Sequence, residues 1–175
     1  SILSSITKDK KAKLIKCSFD KIKILKHNLY EQVFDYDEWK NLKIHMLGRY
    51  QINNAVMAVN AISILKEQGF LINTSCIRNG LLKTRWPCRL EVVRKKPFII
   101  MDGSHNVEGV NTVIDFINEN FDGKDVIFVF AMMKDKEYKE AIKLLSTKAR
   151  GFVLVDLDLE RALPVKKARK IVKYY

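Results

Sequence analysis

Apolar and polar residues alternate in the first 46 positions of the chain. Lys21 and Lys23 alternate with Ile22 and Ile24, and Lys43 separates Leu42 from Ile44. Alternation with a period of two is typical of a strand that has one exposed face. The pattern predicts short strands joined by polar turns, in an antiparallel arrangement.

After Gly48 the apolar residues recur at helical spacing. The positions that share one face are Ala55, Ala58, Val59 and Ile62. Asn53 or Asn54 lies near the predicted start of this helix and Gly69 lies just past its end. A second, shorter helix is predicted after the capping residues 73–75.

At Trp86 and Pro87 the helical pattern stops, because proline lacks an amide hydrogen and biases the preceding residue toward extended geometry. Strands are predicted at residues 90–93, 98–101, 126–130 and 152–155, and helices around residues 107–117, 138–145 and 165–172. This alternation predicts an α/β fold with a mostly parallel sheet and covering helices. We place a domain boundary near Arg85, which gives domains at residues 1–85 and 86–175.

The chain carries 32 Lys and Arg against 20 Asp and Glu, a net charge of +12. Cations that neutralise phosphates favour binding to polyanions, so a basic nucleic-acid-binding module is one alternative. Eight lysines lie between Lys8 and Lys26, but no aromatic or glycine pattern of a known binding module accompanies them. We therefore expect no nucleic-acid partner. A positive surface also suits a nucleotide or another polyanionic small substrate.

The longest apolar stretch, Val126–Met133, is far shorter than the roughly 20 residues that span a bilayer, and the chain does not begin with a signal-peptide pattern. We expect no membrane segment. Cys17, Cys76 and Cys88 lack metal-ligand spacing, and an odd count without a secretory signal indicates a reducing compartment. The expected location is the cytoplasm.

Two common nucleotide-binding motifs are absent from the sequence. No pair of the seven glycines is separated by one residue, as a dinucleotide-binding turn requires. No segment has two glycines that flank four residues before Lys and Ser or Thr, as a Walker-type phosphate loop requires. We expect no NAD site of that type, and if ATP is used, another segment must hold most of the triphosphate.

Ionisable residues follow the apolar run 98–101, at the kind of strand end where α/β sheets bind ligands. Asp102 can accept hydrogen bonds from ribose hydroxyls, or it can serve as a turn or capping residue. His105 precedes a predicted helix, where it can steady a phosphate or a carboxylate, or it is a surface residue. Arg89 offers a planar fork for phosphate, or it pairs with Glu91 at a strand edge.

Together these residues resemble the folylpolyglutamate synthase and dihydrofolate synthase family, the folate branch of the Mur ligase superfamily. The matching segments are Gly48–Ala55 (family pattern Gly-x-His-Gln-x-x-Asn-Ala), Trp86–Glu91 (Trp-Pro-Gly-Arg-x-Glu), Asp102–Asn106 (Asp-Gly-Ala-His-Asn), Met133–Lys136 (Lys-Asp-Lys) and Arg161–Pro164 (Arg-Ala-Leu-Pro). The resemblance covers residues from about Leu42 to Val165. Tyr50 stands where the family has histidine, Cys88 where it has glycine, and Val107 where it has proline.

The resemblance implies an ATP-dependent ligase that adds L-glutamate to the carboxylate of a folate or a dihydropteroate through an acyl phosphate. It places Asn54 near the adenine, Arg89 on the phosphates and Asp102 on the ribose. His105 is the implied catalytic residue, near the glutamate or the transferring phosphate. Mg²⁺ is the implied metal, and no ligand for it is assigned to a residue of this chain.

The resemblance also implies that residues 1–85 are the carboxy-terminal part of a central ATPase domain and residues 86–175 a small, incomplete Rossmann-like domain. The phosphate loop of the family has no counterpart here, so we expect a carboxy-terminal fragment that is inactive alone. The resemblance also implies a monomer. The alternatives are a fragment of a peptidoglycan-precursor Mur ligase and the basic nucleic-acid-binding module.

Overall fold

The structure is a computed structural model that describes residues 2–175. The chain divides into two compact units. The first unit contains the residues up to His45 together with Tyr50–Arg85, and the second contains Met46–Arg49 and Trp86–Tyr175. Each unit is built around a hydrophobic core.

An antiparallel sheet of three strands, in the order β1-β2-β3, forms one side of the first unit. The strands are β1 (Ile22–His27), β2 (Gln32–Tyr36) and β3 (Trp39–Ile44). This arrangement confirms the prediction from alternating residues. The prediction of strands was wrong at the start, where residues Ile2–Asp9 form helix α1. The reason is that the eight residues of this helix offer too few apolar positions to reveal a helical period.

Two helices pack on this sheet. Helix α2 (Tyr50–Glu67) begins a few residues before Asn53 and Asn54, and Gly69 follows it with a φ of +96°. Helix α3 (Thr74–Lys83) begins after Asn73, whose side chain accepts a hydrogen bond from the amide of Cys76 at 2.8 Å. The buried core residues are Phe34, Tyr36, Leu42, Ile44, Ile52, Ala55, Val56, Val59, Ile77 and Leu81.

The second unit alternates strands and helices, which confirms the α/β class. Its strands are β4 (Glu91–Lys95), β5 (Phe98–Met101), β6 (Val126–Phe130) and β7 (Ala149–Leu154), and its helices are α4 (Val107–Asn120), α5 (Tyr138–Ser146) and α6 (Val165–Val172). Strands β6 and β7 pair in parallel. Strands β4 and β5 pair antiparallel, because the two residues between them are too few for a parallel crossover.

The helices of the second unit bury their apolar faces against β6 and β7. The core residues are Val110, Phe130, Met132, Ala141, Ile142, Leu145, Leu163 and Ala168. Because β6 and β7 are parallel, the segments that follow them leave the same edge of the sheet. These segments meet there: the amide of Leu163 donates to the carbonyl of Met132 at 2.8 Å.

Candidate functional site

The loop that carries Arg89 lies against the end of β5. The amide of Gly103 donates to the carbonyl of Cys88 at 2.8 Å, and the amide of Leu90 donates to Oδ2 of Asp102 at 2.9 Å. The residues on both sides of Arg89 are thereby hydrogen-bonded to the segment that follows β5.

The backbone of this loop is unusual on either side of Arg89. Cys88 has a φ of +58° and Leu90 a φ of +47°, a left-handed conformation that costs a residue with a Cβ roughly 1–2 kcal/mol. The Leu90 side chain is 1% exposed and anchors the loop. The amide of Cys88 donates to Oε2 of Glu91 at 2.9 Å. The loop is therefore held in a conformation that it would not adopt in isolation.

Arg89 projects from this loop into solvent. Within residues 2–175 its guanidinium makes no hydrogen bond or ion pair, so all five N–H donors are available. Glu91 accepts the amide of Cys88 and does not pair with Arg89, so the strand-edge ion pair considered from the sequence is wrong. A planar guanidinium with free donors is suited to bidentate contact with a phosphate.

Asp102 is half-buried and acts as a turn residue. Its Oδ1 accepts from the amide of Ser104 at 2.8 Å, and its Oδ2 accepts from the amide of Leu90 at 2.9 Å. Each carboxylate oxygen can accept a second hydrogen bond. These two hydrogen bonds show that Asp102 stabilises the loop. Its contact with a ribose stays a prediction.

His105 lies next to the start of α4. Its Nδ1 is 3.1 Å from the carbonyl oxygen of Gly103, and since a carbonyl only accepts, Nδ1 carries the hydrogen. In the neutral ring Nε2 is then an acceptor, and His105 is exposed. Asn106 begins the helix, because its Oδ1 accepts from the amide of Gly109 at 2.8 Å. An imidazole with a free Nε2 beside a helix N-terminus can accept a proton near a bound anion.

Asn54 lies in α2, in the first unit. It is exposed, and its Nδ2 donates to Oε1 of Gln51 at 3.0 Å. The structure therefore brings the segments of Arg89, Asp102 and His105 together in the second unit, and it places Asn54 in the other unit. The adenine contact of Asn54 stays a prediction.

Sequence reasoning missed two residues that shape this site. Glu91 was considered only as a partner for Arg89, although its position three residues after Cys88 is suited to reach back to that amide. Gly109 lies close to the turn: a Cβ there would be 2.7 Å from Oγ and 2.9 Å from Cβ of Ser104. The occurrence of glycine in the first turn of a helix was the available signal, because glycine is a poor helix former.

The two remaining motifs meet at the edge where β6 and β7 end. The amide of Lys134 donates to the carbonyl of Arg161 at 2.8 Å, and Nη2 of Arg161 donates to Oδ2 of Asp135 at 2.7 Å. The hydrogen bond from Arg161 holds the pKa of Asp135 below its ordinary value. This contact joins the turn after β6 to the segment before α6.

Other kinds of site were sought in the part of the chain that the structure describes. Residues 2–175 contain no group of three or more His, Cys, Asp or Glu side chains placed to hold a metal ion. In the same residues, no helix has both the length and the apolar character needed to cross a membrane. The cysteines, Cys17, Cys76 and Cys88, are free.

Known proteins resemble this chain in sequence. Residues 88–174 match the family "Mur ligase, glutamate ligase domain". The dihydrofolate synthase/folylpolyglutamate synthase of Bacillus subtilis is 32% identical over 125 residues, which are 71% of this chain and 29% of that protein. The folylpolyglutamate synthase of Lacticaseibacillus casei is 28% identical over 139 residues, 76% of this chain and 32% of that protein. The chain spans about a third of the length of these relatives.

Solved structures show the same fold. The folylpolyglutamate synthase of Mycobacterium tuberculosis complexed with ADP superposes with a TM-score of 0.85 at 20% identity, over 99% of this chain and 39% of that one. The folylpolyglutamate synthase of Thermotoga maritima has a TM-score of 0.82 at 22% identity, over 99% of this chain and 42% of that one. The second unit therefore belongs to the Mur ligase family as its glutamate ligase domain, and the chain is related to the folylpolyglutamate and dihydrofolate synthases.

Proposed function

We propose that this protein takes part in the ATP-dependent addition of L-glutamate to the carboxylate of a folate or a dihydropteroate. The relatives named above support it, because they are named as a dihydrofolate synthase/folylpolyglutamate synthase and a folylpolyglutamate synthase. The observation that carries the proposal is the joined pair of segments in the second unit, in which the backbone on both sides of Arg89 is hydrogen-bonded to Asp102 and Gly103, shortly before the start of α4.

The reaction sets physical requirements on the site. A carboxylate and an amine do not condense in water, so the γ-phosphate is first transferred to the carboxylate. The resulting acyl phosphate is then attacked by the glutamate amine, and phosphate leaves. The site must neutralise phosphate charge, hold the amine near the acyl carbon and exclude water. Arg89 suits the first task because its charge is permanent and unpaired and its loop is hydrogen-bonded to the end of β5.

The other residues take complementary roles in this proposal. Asp102 offers the second lone pair of each oxygen to ribose hydroxyls while it holds the loop. His105 lies near the incoming glutamate or the transferring phosphate, where its free Nε2 accepts a proton. Asn54 takes the role of the adenine contact.

The proposal extends to the domains and to the conditions of the reaction. Residues 1–85 are the carboxy-terminal part of a central ATPase domain, and residues 86–175 are the small Rossmann-like domain. The protein works as a cytoplasmic monomer, with no nucleic-acid or membrane partner. Mg²⁺ accompanies ATP, but the described residues offer no cluster of ligands for it.

The test is an assay of glutamate addition with ATP. The 175-residue chain and the product of the complete gene are each supplied with dihydropteroate, with a reduced folate and with a peptidoglycan precursor. We expect product with a pterin acceptor from the complete gene product, and none from the 175-residue chain, which spans about a third of its relatives. Addition only to the peptidoglycan precursor would establish the other Mur ligase activity instead. Turnover by the 175-residue chain would contradict the expectation that this chain is inactive alone.

A further inference from the structure

Arg89 lies between two backbone amides, each of which donates to a carboxylate. The amide of Cys88 donates to Oε2 of Glu91 and the amide of Leu90 donates to Oδ2 of Asp102, both at 2.9 Å. We propose that Glu91 and Asp102 are positioning residues that fix the direction in which Arg89 leaves the loop. The inference rests on the proposed function, because it takes the target of Arg89 to be the phosphates of a nucleotide.

The strength of these contacts follows from their charge. A hydrogen bond to an ionised carboxylate is roughly twice as strong as one between neutral groups. Neither bond involves the guanidinium itself, so the two carboxylates secure the loop without occupying the donors of Arg89. The two carboxylates serve the backbone, and the guanidinium of Arg89 stays free to bind phosphate.

The backbone conformation gives these contacts a specific task. Cys88 and Leu90 are both left-handed, which non-glycine residues avoid, so the loop keeps this shape only where its surroundings over-determine it. Four anchors do so: the two carboxylates, the bond from Gly103 to the Cys88 carbonyl, and the buried Leu90 side chain. A loop backbone that is already fixed loses less freedom when its side chain binds a ligand.

The first experiment measures order in the protein without ligand. Backbone ¹⁵N relaxation at Arg89 is compared in the unchanged chain, Glu91→Ala and Glu91→Gln, with Glu108→Ala as a matched control in which an exposed carboxylate of α4 is removed. We expect the order parameter of the Arg89 amide to fall from about 0.85 to below about 0.6 in Glu91→Ala. Glu91→Gln retains an acceptor oxygen and should restore order, and Glu108→Ala should leave it unchanged.

Asp102 is tested in the same way with Asp102→Asn and Asp102→Ala. Should Asp102→Ala fail to fold, as thermal unfolding would reveal, Asp102→Asn and the Glu91 variants carry the test. Equal order of Arg89 in the unchanged chain and in Glu91→Ala overturns the proposal.

The second experiment asks whether Glu91 acts through Arg89. Titration with ADP is followed by chemical shifts in the unchanged chain, Arg89→Ala, Glu91→Ala and the double variant. We expect Arg89→Ala to weaken ADP binding about tenfold or more, as the loss of a charged hydrogen bond does. Glu91→Ala should weaken ADP binding about threefold when Arg89 is present. It should have no effect in the Arg89→Ala background, because the two changes are coupled.

The two ideas fail in different ways. If Arg89→Ala leaves ADP binding unchanged, or the unchanged chain binds no ADP, the phosphate role of Arg89 is wrong for this chain, and the order of the Arg89 amide alone decides the positioning role. If Glu91→Ala weakens ADP binding equally with and without Arg89, Glu91 acts elsewhere and the positioning role is wrong.

Discussion

At the scale of single residues, Cys88 occupies a backbone position that suits glycine. Its φ is +58°, and its thiol lies 3.3 Å from the sulfur of Met101. We expect Cys88→Gly to be more stable than Cys88→Ala by about 1 kcal/mol, because only glycine is free of the Cβ penalty there. Both variants lose the thiol, so their difference isolates the backbone. Urea unfolding measures it, and an alanine variant as stable as the glycine variant would contradict the interpretation.

Gly109 is predicted to tolerate no side chain, although it lies in a helix. A Cβ there would lie 2.7 Å from Oγ of Ser104 and 2.9 Å from Oδ1 of Asn106, the residue that caps α4. We expect Gly109→Ala to lower the free energy of unfolding by roughly 1–3 kcal/mol, as overpacking does.

The control for Gly109→Ala is Gly80→Ala in α3, where a Cβ meets nothing within 4 Å. This change should raise the free energy of unfolding by about 0.5–1 kcal/mol, because alanine is the better helix former. Both are measured by urea unfolding. If Gly109→Ala also stabilised the protein, the turn before α4 would be flexible enough to accommodate a methyl group, which contradicts the prediction.

At the scale of elements, the ion pair between Asp135 and Arg161 joins the turn after β6 to the segment before α6. The hydrogen bond from Arg161 lowers the pKa of Asp135. A lowered carboxyl pKa contributes stability above the ordinary pKa of the group, near 4, and the contribution is lost as the pH falls through the lowered value. We expect Arg161→Gln to return the pKa of Asp135 toward the ordinary value in an NMR titration. The control Arg150→Gln removes a cation that pairs with Asp125 and should leave Asp135 unchanged.

The sequence predicted those elements whose signals are local. Apolar spacing and the cap at Asn73 specify α2 and α3, and period-two alternation specifies β1 and β3, because these patterns depend on which face of one element is buried. The first helix, α1, was missed because its eight residues offer too few apolar positions to reveal a period. The antiparallel pairing of β4 and β5 was also missed, since strand direction depends on the connection between strands and not on either strand alone.

The candidate site was predicted in its residues but not in its contacts. Motif spacing pointed to Arg89, Asp102 and His105, but it could not show that Asp102 accepts the amide of Leu90 twelve residues away. Nor could motif spacing show that Glu91 accepts a hydrogen bond from the amide of Cys88. Both contacts depend on left-handed residues, and sequences without glycine at such positions give no signal of that conformation.

At the scale of the whole molecule, the excess of positive charge is partly neutralised where it is densest. Lysines of the first 43 residues form the ion pairs Lys13–Glu67, Lys21–Asp37, Lys26–Glu31, Lys40–Asp35 and Lys43–Glu31. The contact with Asp37 also raises the pKa of Lys21. Surface pairs of this kind add little stability, but they remove cations from a potential polyanion surface.

A different concentration of charge lies at the end of the chain. Lys166, Arg169 and Lys170 lie on the exposed side of α6, opposite the buried Ala168, and Lys173 continues their spacing just after the helix ends. Among the residues that the structure describes, none of these four cations forms an ion pair. Like charges four residues apart disfavour a helix slightly. This face of α6 can attract polyanions without specificity, as can lysines near the start of the chain that form no ion pair within residues 2–175, such as Lys10 and Lys11.

The final prediction therefore concerns binding to generic duplex DNA. We expect the unchanged chain to bind with a dissociation constant above about 10 µM at about 0.15 M salt, within the range of non-specific contacts. Lys166→Gln combined with Lys170→Gln should weaken that binding further and reduce its dependence on salt. Lys21→Gln combined with Lys26→Gln should do neither, because both lysines already have carboxylate partners. Fluorescence anisotropy over a series of salt concentrations measures all three proteins. Submicromolar binding that depends on Lys21 and Lys26 would favour the nucleic-acid-binding module over the ligase.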